Sequence, residues 1–134
     1  MPAPITLAYA GVLGLLMAIL SIRVPMRRGA LDVPWGDGGD ETLAVRIRVF
    51  GNFIEYVPAI VLLLFLLETS GVEPWALHAL GGALIAARLT HAFWLRARSD
   101  LTMPEKIGRA LGAILTWLVL TVAAVCALVV ALSA

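Results

Sequence analysis

The stretch from Leu43 to Glu68, LAVRIRVFGNFIEYVPAIVLLLFLLE, joins a polar first half to an unbroken apolar second half. Arg48, Asn52, Glu55 and Tyr56 stand at i, i+4, i+7 and i+8, so at about 3.6 residues per turn they share one face of a helix. Glu55 lies roughly 10 Å along the axis from Arg48, deep enough that a carboxylate facing lipid costs on the order of 2 to 3 kcal/mol or more. Its carboxylate therefore faces protein, a ligand or a water-filled cavity. Pro58 has no N–H and leaves the Ile54 carbonyl without its usual partner, so a kink is expected beside the stripe, with room for a ligand.

The rest of the chain sets this helix in a bilayer. Of 134 residues, 61% are hydrophobic and 14% charged, and the mean hydropathy is +0.96. An ordinary soluble domain carries about 25% charge, so lipid is the natural solvent for most of this chain. The net charge of +1 leaves no basic surface for counterion release, which excludes nucleic acid as a partner. The single cysteine, Cys126, lies in an apolar run, which excludes an intrachain disulfide and a cysteine-based zinc cluster; it reads as a small core or lipid-facing side chain.

Three further apolar stretches flank the first. Ile5 to Ile22 is free of charge and reaches about 27 Å, most of a hydrocarbon core of about 30 Å. Its arginines, Arg23, Arg27 and Arg28, follow the apolar run rather than precede it, so it reads as a retained span and not as a signal peptide. Trp75 to Leu95 carries His78, Arg88 and His91 in an otherwise apolar or small-residue run, and Gly108 to Leu132 is the last apolar stretch. The sequence thus predicts an all-α integral membrane four-helix bundle in one domain, with spans over 5–25, 43–68, 74–96 and 107–133.

Gly29 to Thr42 has turn composition, with Gly36, Gly38 and Gly39 among Pro34 and acidic residues. Thr69-Ser70-Gly71 with Pro74 forms a short second turn. Ser99 to Pro104 is the third connection, where Thr102 is an N-cap candidate with Glu105 in place for a capping box. Arg23, Arg27, Arg28, Arg46 and Arg48 surround the first connection, and Arg96, Arg98, Lys106 and Arg109 the third, whereas the second has Glu68 and Glu73 without Lys or Arg. The positive-inside rule then puts loops one and three in the cytoplasm and both termini outside. Small residues recur at fourth positions as Ala10, Gly14 and Ala18, as Gly82, Ala86 and Thr90, and as Gly108, Gly112 and Thr116, rows that let helix backbones approach within the bundle and between subunits.

Helix three carries a second polar row, Arg88, His91 and Leu95 at i, i+3 and i+7. Helix two runs outward and helix three inward, so Arg48 and Glu55 can meet Arg88 and His91 at similar depth, and Arg109 can reach the same level. A buried ion pair of Glu55 with Arg88 or Arg48 is the structural alternative to a ligand site. Arg23, Arg46, Arg96 and Arg98 read as snorkelling or topology-setting charges. His78 reads as an interfacial or packed histidine, and Trp75, Trp94 and Trp117 as belt or packing residues. Metal-ligand spacing, a phosphate-binding glycine loop and a Ser/His/Asp set are all missing from the sequence.

Arg48-x-x-x-Asn52-x-x-Glu55-Tyr56-x-Pro58, in the second of four spans after an arginine-rich first loop, resembles the MAPEG family, the membrane-associated proteins of eicosanoid and glutathione metabolism. Asp37-Gly38-Gly39, Arg88-Leu89-Thr90-His91 and Arg109-Ala110-Leu111-Gly112 followed by Leu115-Thr116-Trp117 extend the likeness over nearly the whole chain, and the short first loop resembles the bacterial branch. The resemblance implies a homotrimer in a bacterial inner membrane, with glutathione as co-substrate between neighbouring subunits and a site opening to the cytoplasm. It implies glutathione contacts at Arg48, Asn52, Glu55, Tyr56, Arg88 and His91, and at Arg27 or Arg28 near the end of helix one. Arg109 matches an arginine near the thiol, so Arg109 or Arg28 is the residue expected to activate it. Two positions depart from the pattern: Phe50 stands where His or Gln is usual, and Leu95 where well-studied members have tyrosine.

Guanidinium groups at the membrane border suit an anion with two carboxylates, and an arginine beside a thiol lowers its pKa from about 8.5. The expected activity is a glutathione transferase or peroxidase acting on a lipophilic small molecule delivered through the bilayer. The alternative is a non-catalytic protein of the same fold that binds lipid or another hydrophobe, which Phe50 and Leu95 favour.

Overall fold

A computed structural model describes residues 3–95 and 102–133. They form four helices: α1 (Pro4–Leu31), α2 (Glu41–Thr69), α3 (Pro74–Trp94) and α4 (Met103–Ser133). Each boundary has a local cause. Pro4 and Pro74 occupy the first turns of α1 and α3, where the missing N–H has no helical partner to lose. Asp40 caps α2 by accepting the Leu43 N–H at 2.7 Å. Glu105 closes the expected capping box at the start of α4, accepting from the Thr102 N–H and hydroxyl at 2.8 Å each.

Helix one runs further than the sequence suggests. It continues through Pro25 to Leu31 and ends where Asp32 turns left-handed at φ 53°, so Arg27 and Arg28 belong to the last turns of α1 and not to a loop. The true first connection is shorter, and Gly36, Gly38 and Gly39 make its tight path with φ of 61°, 59° and 76°. Helix four likewise starts earlier than expected, at Met103. Arg96, Arg98 and the Ser99 side of the third connection lie outside the described residues.

Three helices, α1, α2 and α4, are long and apolar enough to cross a membrane. The fourth expected span, α3, is a helix of 21 residues, about 31 Å long, whose apolar run is interrupted by two histidines, an arginine and two glycines. The outer surface is that of a membrane protein: Leu15, Leu128 and Leu132 are 70%, 63% and 87% exposed, a placement water would penalise and lipid does not. Inside, Val49, Phe53, Val57, Ile60, Leu64 and Leu67 form one buried row along α2, meeting Leu13 and Leu20 of α1, Leu77 and Leu84 of α3, and Val119 and Ala123 of α4. Helix α2 touches all three others, whereas α1 and α4 do not meet among the described residues.

Small residues set the closest crossings. A Cβ on Gly112 would lie 2.7 Å from the His91 backbone nitrogen, and one on Gly108 would enter the Trp94 ring, so the row Gly108, Gly112, Thr116 is used within the chain, between α4 and α3. The other two rows are turned outward: Gly14, Ala18, Gly82 and Ala86 are exposed, and nothing lies within 4 Å of a Cβ on Gly14. Where α1 crosses α3 it is Gly81, beside the expected row, that admits the Tyr9 ring. Cys126 is half-buried at the edge of the core.

The α1–α2 hairpin is fastened at both ends. Arg27 donates to Asp40 through Nε at 3.2 Å and Nη2 at 2.6 Å. At the opposite end Glu68 accepts the Ile5 and Thr6 N–H groups at 2.8 and 2.6 Å, placing a carboxylate on the positive pole of α1. Tyr9 ties α1 to α3 by donating to the His78 carbonyl at 3.1 Å, with its ring edge-on to the imidazole of the exposed His78.

Candidate functional site

The antiparallel order brings the arginine-bearing ends together: the last turns of α1 and α3 and the first turns of α2 and α4. The α2 stripe faces outward. Arg48 and Glu55 approach at 3.9 Å between Nη1 and Oε1, with their side chains 65% and 50% exposed. Asn52 and Tyr56 are half-buried beside them, and the Asn52 amide donates back to the Arg48 carbonyl at 3.2 Å. Of the two pairings open to Glu55, the one with Arg48 is formed, and it is long and exposed. Glu55 sits about 21 Å along α2 from Glu41, near the helix midpoint.

Arg88 is placed differently. It is only 3% exposed, and its guanidinium is spent on protein: Nη1 donates to the Asn52 carbonyl at 3.3 Å, and Nη2 to the Gly112 carbonyl at 3.4 Å and to the Thr116 hydroxyl. Thr116 in turn donates to the Gly112 carbonyl at 2.8 Å, which leaves its lone pairs for the arginine. Among the described residues no carboxylate pairs with Arg88, and its buried Nε has no partner. One cation thus joins α2, α3 and α4. The Gly108-Gly112-Thr116 row signals that close crossing in the sequence; the arginine's use of Thr116 has no sequence signal of its own.

His91, on the next turn of α3, is 6% exposed and lies in the field of Arg88, Arg109 and Arg48. Arg48 of α2, Arg88 of α3 and Arg109 of α4 thus all act electrostatically on one imidazole, with Glu55 the carboxylate on the Arg48 stripe. Arg109 is exposed at the start of α4. Arg27 is held by Asp40, whose carboxyl is kept below the ordinary aspartate range first by that hydrogen bond and then by the Leu43 N–H. Arg28 is half-buried with an unpartnered Nε. Phe50 and Leu95, the two departures, pack on or in the core. Pro58 borders a groove of about 610 Å³, but it is apolar, lined by Thr6, Leu7, Ala10, Val61 and Phe65, and lies toward α1 rather than beside the stripe.

A four-helix membrane chain with an outward stripe of Arg, Asn, Glu and Tyr on its second helix defines the class. Residues 6–129 match the MAPEG family, and the chain belongs to that family. It is 37% identical over 90 residues to the inner membrane protein YecN of Escherichia coli K12, covering 67% of this chain and 69% of YecN. YecN of Escherichia coli O6:H1 matches with the same identity and coverage. No solved structure matches.

Proposed function

We propose that the protein is a glutathione-dependent transferase or peroxidase of the bacterial inner membrane, acting on a lipophilic electrophile at a site between neighbouring protomers of a homotrimer. The observation that carries this reading is the exposure of Arg48 and Glu55 on one face of α2, with Glu55 near the helix midpoint. Left to lipid, those groups cost several kcal/mol. A polar ligand and a second subunit together cover them, and the outward rows on α1 and α3 offer close helix contact for that subunit.

The donor set fits glutathione, which has two carboxylates, one amine and one thiol. Arg48 is exposed for a bidentate bond to a carboxylate, and Glu55 accepts from the amine. Arg88 acts through Asn52, whose carbonyl it grips, and so fixes the stripe. Bound glutathione supplies the nucleophilic sulfur. Arg109, exposed and without an ion pair among the described residues, favours the ionised thiol by Coulomb attraction, and Arg28 is the second arginine able to do so. Both flank loops expected to face the cytoplasm, where glutathione is dissolved.

The spending of Arg88 on protein acceptors and the burial of Leu95 support a second reading, a non-catalytic protein that presents a hydrophobe. Ultraviolet difference titration of the glutathione complex separates the two. A thiol ionising well below its value in water, with the shift lost in Arg109→Ala, supports the transferase; an unshifted thiol leaves the hydrophobe-binding reading. A shift that survives Arg109→Ala and disappears in Arg28→Ala keeps the mechanism and reassigns the arginine.

A further inference from the structure

Arg23 and Arg46 lie apart from the stripe and line a cavity of about 430 Å³, within the range of about 300 to 1,000 Å³ typical of small-ligand sites. It opens between the last turns of α1, the first turns of α2 and the last turns of α3. Leu20, Val45, Val49 and Leu95 form its apolar wall, and Arg23, Arg46, Glu41 and Thr42 its polar mouth. A second cleft, about 650 Å³, shares Arg23, Ala92 and Phe93 with it and continues past Leu89 and Trp94. The two make one groove, basic at one end and apolar at the other, where Leu89 and Phe93 are 51% and 64% exposed on the bundle surface.

Simple snorkelling would send Arg46 outward along its own helix. Instead it is half-buried and turned across to α1, where Nη1 donates to the Arg23 carbonyl at 2.9 Å and Nε is buried without a partner. Among the described residues neither Arg23 nor Arg46 has a carboxylate within 4.0 Å; Glu41 is the carboxylate lining the mouth, and Asp40, which also acts on Arg46, is bonded to Arg27.

We propose that this groove binds an anionic phospholipid, its phosphodiester on Arg23 and Arg46 and one acyl chain along Leu89, Ala92 and Phe93. Guanidinium forks match phosphate oxygens, and basic pockets between membrane helices at the bilayer border take anionic headgroups. A free phosphate has no use for the apolar arm. A zwitterionic lipid brings its own cation towards two arginines. Arg48, Asn52 and Glu55 do not line the groove, so it is separate from the proposed thiol site.

Native mass spectrometry of the full chain in mild detergent tests this, with phosphatidylglycerol, phosphatidylcholine or glycerol 3-phosphate added at equal concentration. Phosphatidylglycerol is expected to be retained roughly tenfold or more over phosphatidylcholine, and the Arg23→Gln, Arg46→Gln double variant to lose a similar factor. Ala92→Phe, which fills the apolar arm and leaves both charges in place, lowers phosphatidylglycerol occupancy as well. Arg48→Gln leaves lipid occupancy unchanged while weakening glutathione binding, so the two sites fail separately. Equal retention of phosphatidylcholine overturns the proposal, as does retention of glycerol 3-phosphate as tight as that of the lipid. Unchanged occupancy in Ala92→Phe also overturns it, and that variant decides the matter if the arginine variants do not fold.

Discussion

Replacing Thr116 by valine keeps the shape of a buried side chain and removes the hydroxyl that accepts from Arg88 Nη2. A hydrogen bond to a charged group contributes about 1.5 to 3 kcal/mol in soluble proteins, whereas interhelical bonds in a membrane average about 0.6 and reach about 1.7 kcal/mol. Two details decide between these ranges. The Thr116 residue is 1% exposed and Arg88 3%, so water does not replace the lost partner. Nη2 keeps the Gly112 carbonyl, which the valine also releases from its bond to Thr116, so part of the loss is recovered. The expected cost is about 1.5 kcal/mol, near the top of the membrane range. Thr116→Ser, which keeps the hydroxyl, should recover most of it. Unfolding in mixed micelles of rising denaturing-detergent content measures the difference, and a double-mutant cycle with Arg88→Met isolates the pair. A cost below about 0.5 kcal/mol, or a cycle with no coupling, would refute the idea that Arg88 is held through Thr116.

Gly112→Ala places a Cβ against the His91 backbone, which has no flexible end to yield, so a destabilisation of about 1 to 3 kcal/mol is expected in the same micelle titration. Gly14→Ala meets nothing within 4 Å in the protomer; loss of oligomer there, seen by native mass spectrometry without loss of helicity, would place α1 at a subunit contact. The folded-state pKa of Asp40 is lowered, so its contribution to stability is complete above its unfolded value of about 3.9 and is lost as pH falls through the folded value. Circular dichroism of Asp40→Asn should therefore show a flatter loss of stability below about pH 4 than the parent. Glu55→Ala is expected to weaken glutathione binding at least about tenfold with little change in melting temperature, because its ion pair is long and exposed; a large fall in melting temperature without ligand would make Glu55 structural. Native mass spectrometry in mild detergent should show trimers; monomers alone, or dimers, would count against the site between subunits.

The helices were legible because apolar runs are long and their interruptions are strong signals: the glycine-rich first loop, Thr69-Ser70-Gly71 and the Thr102–Glu105 box. The end of α1 was not, since Pro25 and three arginines look like a helix end when bonds to distant residues are ignored. Arg27 on Asp40 and Arg46 on the Arg23 carbonyl support those last turns, and neither has a local signature. The α2 stripe is a matter of periodicity, so its shared face could be read directly. Whether that face points in or out depends on which residues fill the core, and the Val49, Phe53, Val57 row takes the inner side. Arg88 and Arg48 look alike in the sequence; only the close crossing at Gly112 separates a buried tie from an exposed ligand group.

Latched by Arg27 on Asp40 and by Glu68 on Ile5 and Thr6, the α1–α2 pair is tied at both ends, and the α3–α4 pair is joined through Gly108 and Gly112. Among the described residues, the polar links between the two pairs are Arg88 to the Asn52 carbonyl, close to the α2 midpoint, and Tyr9 to His78 toward the end where α2 meets α3. Two such points define an axis. Arg48 and Glu55 ride on the first pair, His91 and Arg109 on the second, so rotation of one pair against the other about that line would change the spacing of the charges and slide the buried α2 row over α3 and α4. Arg88 is then a pivot as well as a tie between the two pairs.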